Sequence, residues 1–522
     1  MEQVQLYDTT LRDGMQGQGM TLSVEEKIRV VHALDALGVA FVEAGFPGSN
    51  PKEVELFARL EDEPLANAVV TSFGMTRRRG IKAEDDETLQ LLADTFAPAT
   101  TLVGKTWDLH LEKVTKVSRE ENLEMISDSV TFMKDAGKRV IYDAEHFFDG
   151  FTSDSTYAVE CIRAAVEAGA ECVTLCDTNG ATLPATVSEA TQSVVEAVAS
   201  RSKVGIHTHN DAECGVADSL AAVASGARLV QGTMNGIGER TGNANLTSIL
   251  PALQLKMGYE VVTPEQMARL TSTAHLIDEL LNRSPDADQP YVGRNAFAHK
   301  GGMHVAGVRA DARTFEHIDP SAVGNRRETL VSELSGKGTI LEAAEEASLA
   351  MDEAQADHAL KALKDREHRG YQYEAANGSF ELMLRRETGR YQPLFEVENF
   401  RVLVESDPGG GVRTEATIEL VVDGDRSEMT AEGNGPVNAL DNALRSALVD
   451  RYPELAKVEL TNYKVRILDE HHGTGAVTRV LLDSTDGSSE WGSIGVSENI
   501  IEASWEALLD SLDFALQKGR DE

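Results

Sequence analysis

Through the first half of the chain, short runs of β-branched and apolar residues alternate with longer segments whose apolar positions recur every three to four residues. The short runs are Val4–Asp8, Ala40–Ala44, Ala68–Phe73, Thr101–Gly104, Val140–Asp143, Cys172–Cys176, Val204–His207 and Leu229–Gly232, and each reads as a buried strand. Between them, Val24–Leu37 places Val24, Ile28, Val31 and Leu34 on one helical face and stops at Gly38, a residue suited to a left-handed C-cap. Thr156–Ala168 ends the same way at Gly169, and Ala217–Ala224 has Gly226 just beyond it. Eight strands, each followed by a helix, is the count of a TIM barrel. A doubly wound open sheet alternates similarly but usually has fewer strands, and no GxGxxG follows the first strand here. The pattern therefore predicts an α/β chain with a TIM (β/α)8 barrel over residues 1–275.

Beyond the barrel the pattern changes twice. Residues 276–395 are less regular, with a polar loop (Asn282–Gln289), a Gly-rich stretch (His299–Gly307) and a long helical run (Gly338–Asp365), and read as a mainly helical linker subdomain. From 396 to 522 the period becomes two. Phe400–Glu405, Glu415–Val422, Lys464–Leu468 and Thr478–Ser484 read as half-buried strands, with Asp423-Gly424 as a hairpin turn. Helices are expected at Pro436–Asp450 and Asn499–Gln517, which makes this a separate α+β domain. The charged run Glu342–Glu353 reads as a solvated helix face, and no internal repeat is visible.

Charge narrows the choice of partners. Asp and Glu total 86 against 49 Lys and Arg, a formal net charge of −37, and only 17 of the cations are Lys. So acidic a surface repels phosphate backbones and anionic lipid, which argues against nucleic acid and membranes. It fits a salt-rich cytoplasm, where excess carboxylates keep a protein hydrated. No run of 18 apolar residues and no leader-like N-terminus is present, so a cytoplasmic location is expected. Cys161, Cys172, Cys176 and Cys214 lack CxxC spacing and read as reduced thiols.

In a TIM barrel, chemistry sits at the C-terminal ends of the strands. All eight expected strands run into capable residues: Asp8, Arg12 and Asp13; Glu43; Ser72; Lys105; Tyr142, Asp143 and Glu145; Asp177 and Thr178; His207 and His209; Asn235, Glu239 and Asn243. In His207-Thr208-His209 the two imidazoles fall on the same side of a strand, the arrangement a metal needs. With carboxylate and amide oxygens, the set suits Mn²⁺, Mg²⁺, Co²⁺ or Zn²⁺. In Asp8-Thr9-Thr10-Leu11-Arg12-Asp13-Gly14, Arg12 beside Asp13 reads either as a structural pair or as a metal ligand next to an oxyanion-stabilising fork. Gly14, Gly17 and Gly19 suggest a loop lying close to a ligand.

With Asn235–Leu246 (NGIGERTGNANL) and Gly433–Leu440 (GNGPVNAL), these motifs resemble the acyl-CoA-dependent Claisen-condensing synthases of the DRE-type TIM-barrel metal enzymes, namely the isopropylmalate, homocitrate and citramalate synthases. The resemblance covers nearly the whole chain. It implies Asp13, His207 and His209 as divalent-metal ligands with Asn243 as a further candidate, and Arg12 as the group that binds the 2-oxo acid and stabilises the enolate. It also implies Glu145 as the catalytic carboxylate and Thr178 as the hydroxyl that holds the substrate carboxylate. His304 would reach into a neighbouring subunit's site as part of the base, although Val305-Ala306-Gly307 follows it where family members often carry a polar run. Acetyl-CoA is the implied co-substrate, and the C-terminal domain looks like the family's regulatory, dimer-forming domain, so a homodimer is implied.

Ala44–Pro51, Gly104–His110 and Gly370–Ala375 look like the long citramalate synthase branch, which uses pyruvate; isoleucine is then the implied feedback inhibitor. Pyruvate's methyl group needs an apolar wall, which the sequence offers at Leu102 and Tyr142. The rival substrates are 2-oxoisovalerate and 2-oxoglutarate. A retro-Claisen lyase is disfavoured by the long C-terminal extension. A barrel that only senses metabolites is disfavoured by the intact Arg12, Asp13, Glu145, His207 and His209.

The expected substrates are anionic, and the charge of −37 hinders their approach at low salt. Activity is therefore expected to rise with added KCl or NaCl. An initial-rate series against salt concentration checks this, and an enzyme fastest without salt contradicts salt adaptation.

Overall fold

The structure, a computed structural model, describes residues 2–406, 409–468 and 475–518. The chain divides into two compact units, Met1–Phe297 with His317–Arg327, and Ala298–Glu316 with Glu328–Glu522.

The first unit is a closed barrel of eight parallel strands. They are β1 (Gln5–Asp8), β2 (Phe41–Gly45), β3 (Val69–Met75), β4 (Ala99–Lys105), β5 (Arg139–Glu145), β6 (Cys172–Asp177), β7 (Lys203–Thr208) and β8 (Leu229–Gly232), with β8 pairing back onto β1. Each lies where the apolar runs place it, within two residues at either end. The helix Val24–Leu37 starts with a capping box between Ser23 and Glu26 and stops at Gly38, whose φ of 88° is left-handed. The helix expected from Thr156 is longer, Phe147–Glu167, because a first segment precedes a non-helical residue at Asp154. Periodicity reported only the part after that break.

The barrel interior has two levels. Tyr7, Phe41, Ala99, Ile141, Cys172 and Leu229 form an apolar floor. Above it, Tyr7 Oη donates to Glu43 Oε2 at 2.5 Å and lies 2.6 Å from Thr101 Oγ1, and Gln231 Nε2 donates to Asp143 Oδ1 at 2.8 Å. Thr101 and Asp143 thus point inward, so their neighbours Leu102 and Tyr142 point outward. Both are 0 % exposed, packed in the core that strands and helices share. Neither walls the mouth, which corrects the pocket expected from the sequence: one residue of register on a strand moves a side chain to the opposite face.

The second unit holds the remaining helices and two separate three-stranded antiparallel sheets. The Gly-rich stretch forms the helix Gly302–Ala310. The long helical run is broken: Lys337–Glu346 ends where Ser348 takes a φ of 57°, and Glu353–His368 restarts from an Asp352 capping box with Gln355. The charged run therefore spans a turn as well as helix. These helices share a core with Ile494 of the strand Glu490–Ser497.

The first sheet (Glu396–Ser406, Val412–Val422, Asp425–Gly433) is followed by the helix Pro436–Leu448. The second (Glu459–Ile467, Thr478–Thr485, Glu490–Ser497) is followed by Ile500–Lys518. The Asp423-Gly424 turn joins the last two strands of the first sheet, as expected, with φ of 52° and 88°. This βββα order occurs twice, an internal repeat that the sequence does not display. The third strand of each set was also missing from the sequence pattern. Asp425–Gly433 is mostly polar and exposed, and Glu490–Ser497 carries glycines inside the core. Among the described residues, no helix is long and apolar enough to cross a membrane.

Tyr142 Oη is buried without a hydrogen-bond partner, against Gly104. Removing an unpaired buried hydroxyl relieves desolvation worth about 1 kcal/mol. Tyr142→Phe is therefore expected to unfold at an equal or higher denaturant concentration, with the KM for the 2-oxo acid unchanged. A raised KM would return Tyr142 to the substrate pocket.

Candidate active site

The turn after β1 is built by its own hydrogen bonds. Asp8 accepts from Thr10 N at 2.9 Å and Thr10 Oγ1 at 2.8 Å, and the N–H groups of Arg12, Asp13 and Gly14 all point to the Thr9 carbonyl at 2.9–3.2 Å. Thr10 Oγ1 also accepts from Met234 N at 2.9 Å, tying the turn to the segment after β8. Burial pushes the Asp8 carboxyl up to about 7, against the Thr10 hydrogen bonds. Two of the loop glycines serve this packing: a Cβ at Gly14 would meet Ile237, and one at Gly17 would strike the Gly238 carbonyl. Their small size thus lets two loops touch, which replaces the ligand approach expected from sequence. Behind the turn, Lys27 and Glu53 form a buried ion pair, and Lys27 Nζ also donates to the Leu11 carbonyl at 3.4 Å.

The turn aims Asp13 at β7. Asp13 Oδ2 lies 3.4 Å from His207 Nε2 and 3.8 Å from His209 Nε2, and one ligand atom from each residue falls within 4.8 Å of the others. All three side chains are buried. Asn243 faces the same strand through an antiparallel bridge between His209 and Asn243, and its Oδ1 is buried without a partner. An acceptor oxygen with no donor, beside a carboxylate and two imidazoles, fits the coordination sphere of a divalent cation.

The imidazoles are prepared for that role. Burial lowers the His207 pKa to about 4, outweighing the pull of Asp13, so the ring is neutral. His207 Nδ1 lies 3.0 Å from Gln231 Oε1, while Gln231 Nε2 donates to Asp143 Oδ1 at 2.8 Å and Thr174 Oγ1 at 3.3 Å. The amide therefore presents its acceptor to His207, which places the imidazole proton on Nδ1 and the lone pair on Nε2. Burial opposes ionisation of Asp13, but the Arg12 guanidinium beside it, helped by a hydrogen bond from the Asn243 side chain, holds its carboxyl below the usual range.

Arg12 is locked beside this cluster. Its Nε donates to Glu43 Oε1, Nη1 lies 3.4 Å from Asp13 Oδ2, and the guanidinium sits 3.9 Å over the Phe73 ring. Burial of Asp143, with the Glu43 charge added, pushes its carboxyl up to about 7, and Gln231 links Asp143 to His207. At the end of β5, Glu145 pairs with Lys105 of β4, and Thr106 Oγ1 donates to the Glu145 carbonyl at 2.6 Å. Thr178 Oγ1 accepts from His146 N at 2.9 Å and keeps its own proton to donate. His304 lies in the second unit, exposed on the helix Gly302–Ala310, its ring stacked on Phe315 at 4.2 Å.

Sequence reasoning missed Gln231. Its signal was a lone amide in the apolar strand Leu-Val-Gln-Gly. A cavity of about 1170 Å³ opens beside Arg12 and Lys105, with Phe46, Phe73, Met75 and Val103 in its wall. Leu102 and Tyr142 are not among its lining residues.

Comparison with known proteins agrees with this architecture. The family model described as HMGL-like matches residues 3–277, that of the homocitrate synthase post-HMGL domain 291–370, and that of the LeuA allosteric (dimerisation) domain 374–516. The (R)-citramalate synthase of Geobacter sulfurreducens is 47% identical across 100% of this chain and 99% of its own. That of Synechocystis sp. is 46% identical across 98% of this chain and 96% of its own. Among solved structures, the HMG-CoA lyase from Brucella melitensis aligns with 54% of this chain and 100% of its own, at 17% identity and a TM-score of 0.45. With close to half of its residues shared along the full length of these relatives, the chain belongs to the (R)-citramalate synthase family of HMGL-like enzymes.

Proposed function

We propose that the barrel mouth joins acetyl-CoA to pyruvate and hydrolyses the product thioester, giving (R)-citramalate and CoA. The observation that carries this reading is the convergence of Asp13, His207, His209 and the unpaired Asn243 Oδ1 next to a fixed guanidinium. Asp13, His207 and His209 would hold a divalent cation, with Asn243 as a fourth ligand. When bound by these residues, a divalent cation would supply Lewis-acid polarisation of the keto group of the 2-oxo acid. Arg12, held by Glu43 and Asp13, offsets negative charge on the substrate oxygens as the new bond forms. Thr178 has a free hydroxyl proton for the substrate carboxylate.

The reaction needs a base to take a proton from the acetyl methyl group. The resulting enolate carbon then attacks C2 of pyruvate, the alkoxide is protonated, and water cleaves the thioester. We assign the base to His304, delivered from the second copy of a homodimer. Its exposed position suits delivery to another chain. Glu145, which pairs with Lys105 at the mouth, is the carboxylate we assign to orient that base. With Leu102 and Tyr142 facing outward, we assign Phe73, whose ring lies against Arg12, and Val103, next to Lys105 in the cavity wall, to meet the pyruvate methyl. A methyl pocket discriminates by only about 1–3 kcal/mol, so 2-oxobutanoate is the nearest competitor.

The LeuA-like segment supports regulation by an end-product amino acid, and the citramalate branch makes isoleucine the effector. The acidic surface supports a salt-rich cytoplasm as the working environment.

Thiol release from acetyl-CoA is expected with pyruvate, to fall by at least half with 2-oxoisovalerate or 2-oxoglutarate, and to cease after chelation. Equal turnover of 2-oxoisovalerate would refute the pyruvate assignment. His207→Ala is expected to abolish cation binding in calorimetry, and unchanged binding would overturn the ligand set. In the same thiol assay, isoleucine is expected to lower the rate where equimolar leucine does not; indifference to both removes the regulatory reading.

A further inference from the structure

The cavity beside Arg12 has cations at both ends. Arg12 and Lys105 stand at the inner end. At the outer rim three consecutive arginines follow β3, and their partners differ. Arg77 is buried and engaged by Glu121 and Asp128, each at 2.8 Å. Arg78 pairs at 3.3 Å with Asp86, a buried carboxylate that also accepts the Arg78 N–H at 2.8 Å. Arg79 is exposed, and its Nη1 donates to the Lys116 carbonyl at 3.3 Å. Lys116 is exposed too, in a left-handed conformation (φ 56°) that closes the turn after Leu111–Thr115.

That hydrogen bond holds the Arg79 guanidinium against the Lys116 backbone, so the two cationic residues are neighbours on the cavity rim. Among the described residues, neither has a carboxylate within ion-pair distance, while Glu121 and Asp128 engage Arg77, Asp86 engages Arg78 and Glu112 engages Lys113. Two neighbouring cations thus stand on the rim of the reaction cavity, in a chain otherwise dominated by 86 carboxylates against 49 Lys and Arg. Between the two charged ends the wall is mostly apolar, with Phe46, Met75, Ile81, Val103 and Met125. The cavity is thus complementary to a long ligand that reacts at one end, is neutral in the middle and carries several negative charges at the other.

We propose that Arg79 and Lys116 bind the phosphorylated end of coenzyme A, with the pantetheine arm along the apolar wall and the thioester toward Arg12. The proposal rests on the reaction assigned above. Arg offers a planar fork for phosphate oxygens and Lys a mobile point charge. Arg77 is a positioning residue: its ion pairs with Glu121 and Asp128 hold the backbone from which Arg79 projects.

The test compares wild type with Arg79→Ala/Lys116→Ala, using acetyl-CoA and the phosphate-free donor S-acetylpantetheine. The double variant is expected to raise the KM for acetyl-CoA about tenfold, as loss of two exposed charge-assisted contacts should. The KM for S-acetylpantetheine and for pyruvate is expected to stay put. The charge-retaining swap Arg79→Lys/Lys116→Arg is expected to recover most of the loss. An unchanged KM for acetyl-CoA in the alanine variant overturns the proposal, and so does an equal rise for both donors. Calorimetric titration with CoA separates this from the reaction itself, because it needs no turnover. Wild type is expected to bind CoA more tightly than the alanine variant, and equal affinity overturns the assignment whatever the enzyme condenses.

Discussion

Gln231 has two hydrogen-bonding ends, and the barrel interior uses both. Its Nε2 is committed to Asp143 and Thr174, so its Oε1 is left for His207. That choice fixes the tautomer of one imidazole, and with it the direction of a lone pair aimed at Asp13. A reversed amide would set an N–H against the neutral ring's Nδ1 and move the proton to Nε2, facing the carboxylate. The arrangement of Asp13, His207 and His209 as a ligand set therefore depends on a side chain that touches none of the atoms a cation would occupy.

The same interior has to keep several carboxyl groups out of water. Asp8, Glu43 and Asp143 are fully buried, and burial raises all three. Each is managed differently: Asp8 by the Thr10 hydrogen bonds, Glu43 by Arg12 and Tyr7, Asp143 by Gln231 and Thr174. A buried ion pair is weak evidence for stability, because desolvation offsets most of its attraction. These groups are better understood as fixing geometry. Glu43 gives Arg12 one orientation, and Phe73 supports the face of the guanidinium.

Much of this was legible in the sequence, for identifiable reasons. Eight apolar runs spaced by helical periods announce a barrel because buried parallel strands need little else. His207 and His209 could be paired because alternate residues of a strand share a face. The same rule, applied without knowing the register, misplaced Leu102 and Tyr142. Helix breaks at Asp154 and Ser348 were hidden because neither site carries Gly or Pro to mark it. Gln231 was passed over because a single amide in an apolar strand has no local pattern. Arg79 and Lys116 meet only once the turns after β3 and β4 are folded.

The two βββα sets of the second unit each end on an edge strand, Glu396–Ser406 in one and Glu459–Ile467 in the other. In the single chain these edges expose Leu403, Val404, Val465 and Ile467. Unpaired strand edges bearing apolar side chains recruit whatever strand comes near, native or not. For this chain, dilution is then a structural variable in its own right. Such edges are adhesive while bare, so concentration sets how often one folding chain meets the bare edge of another.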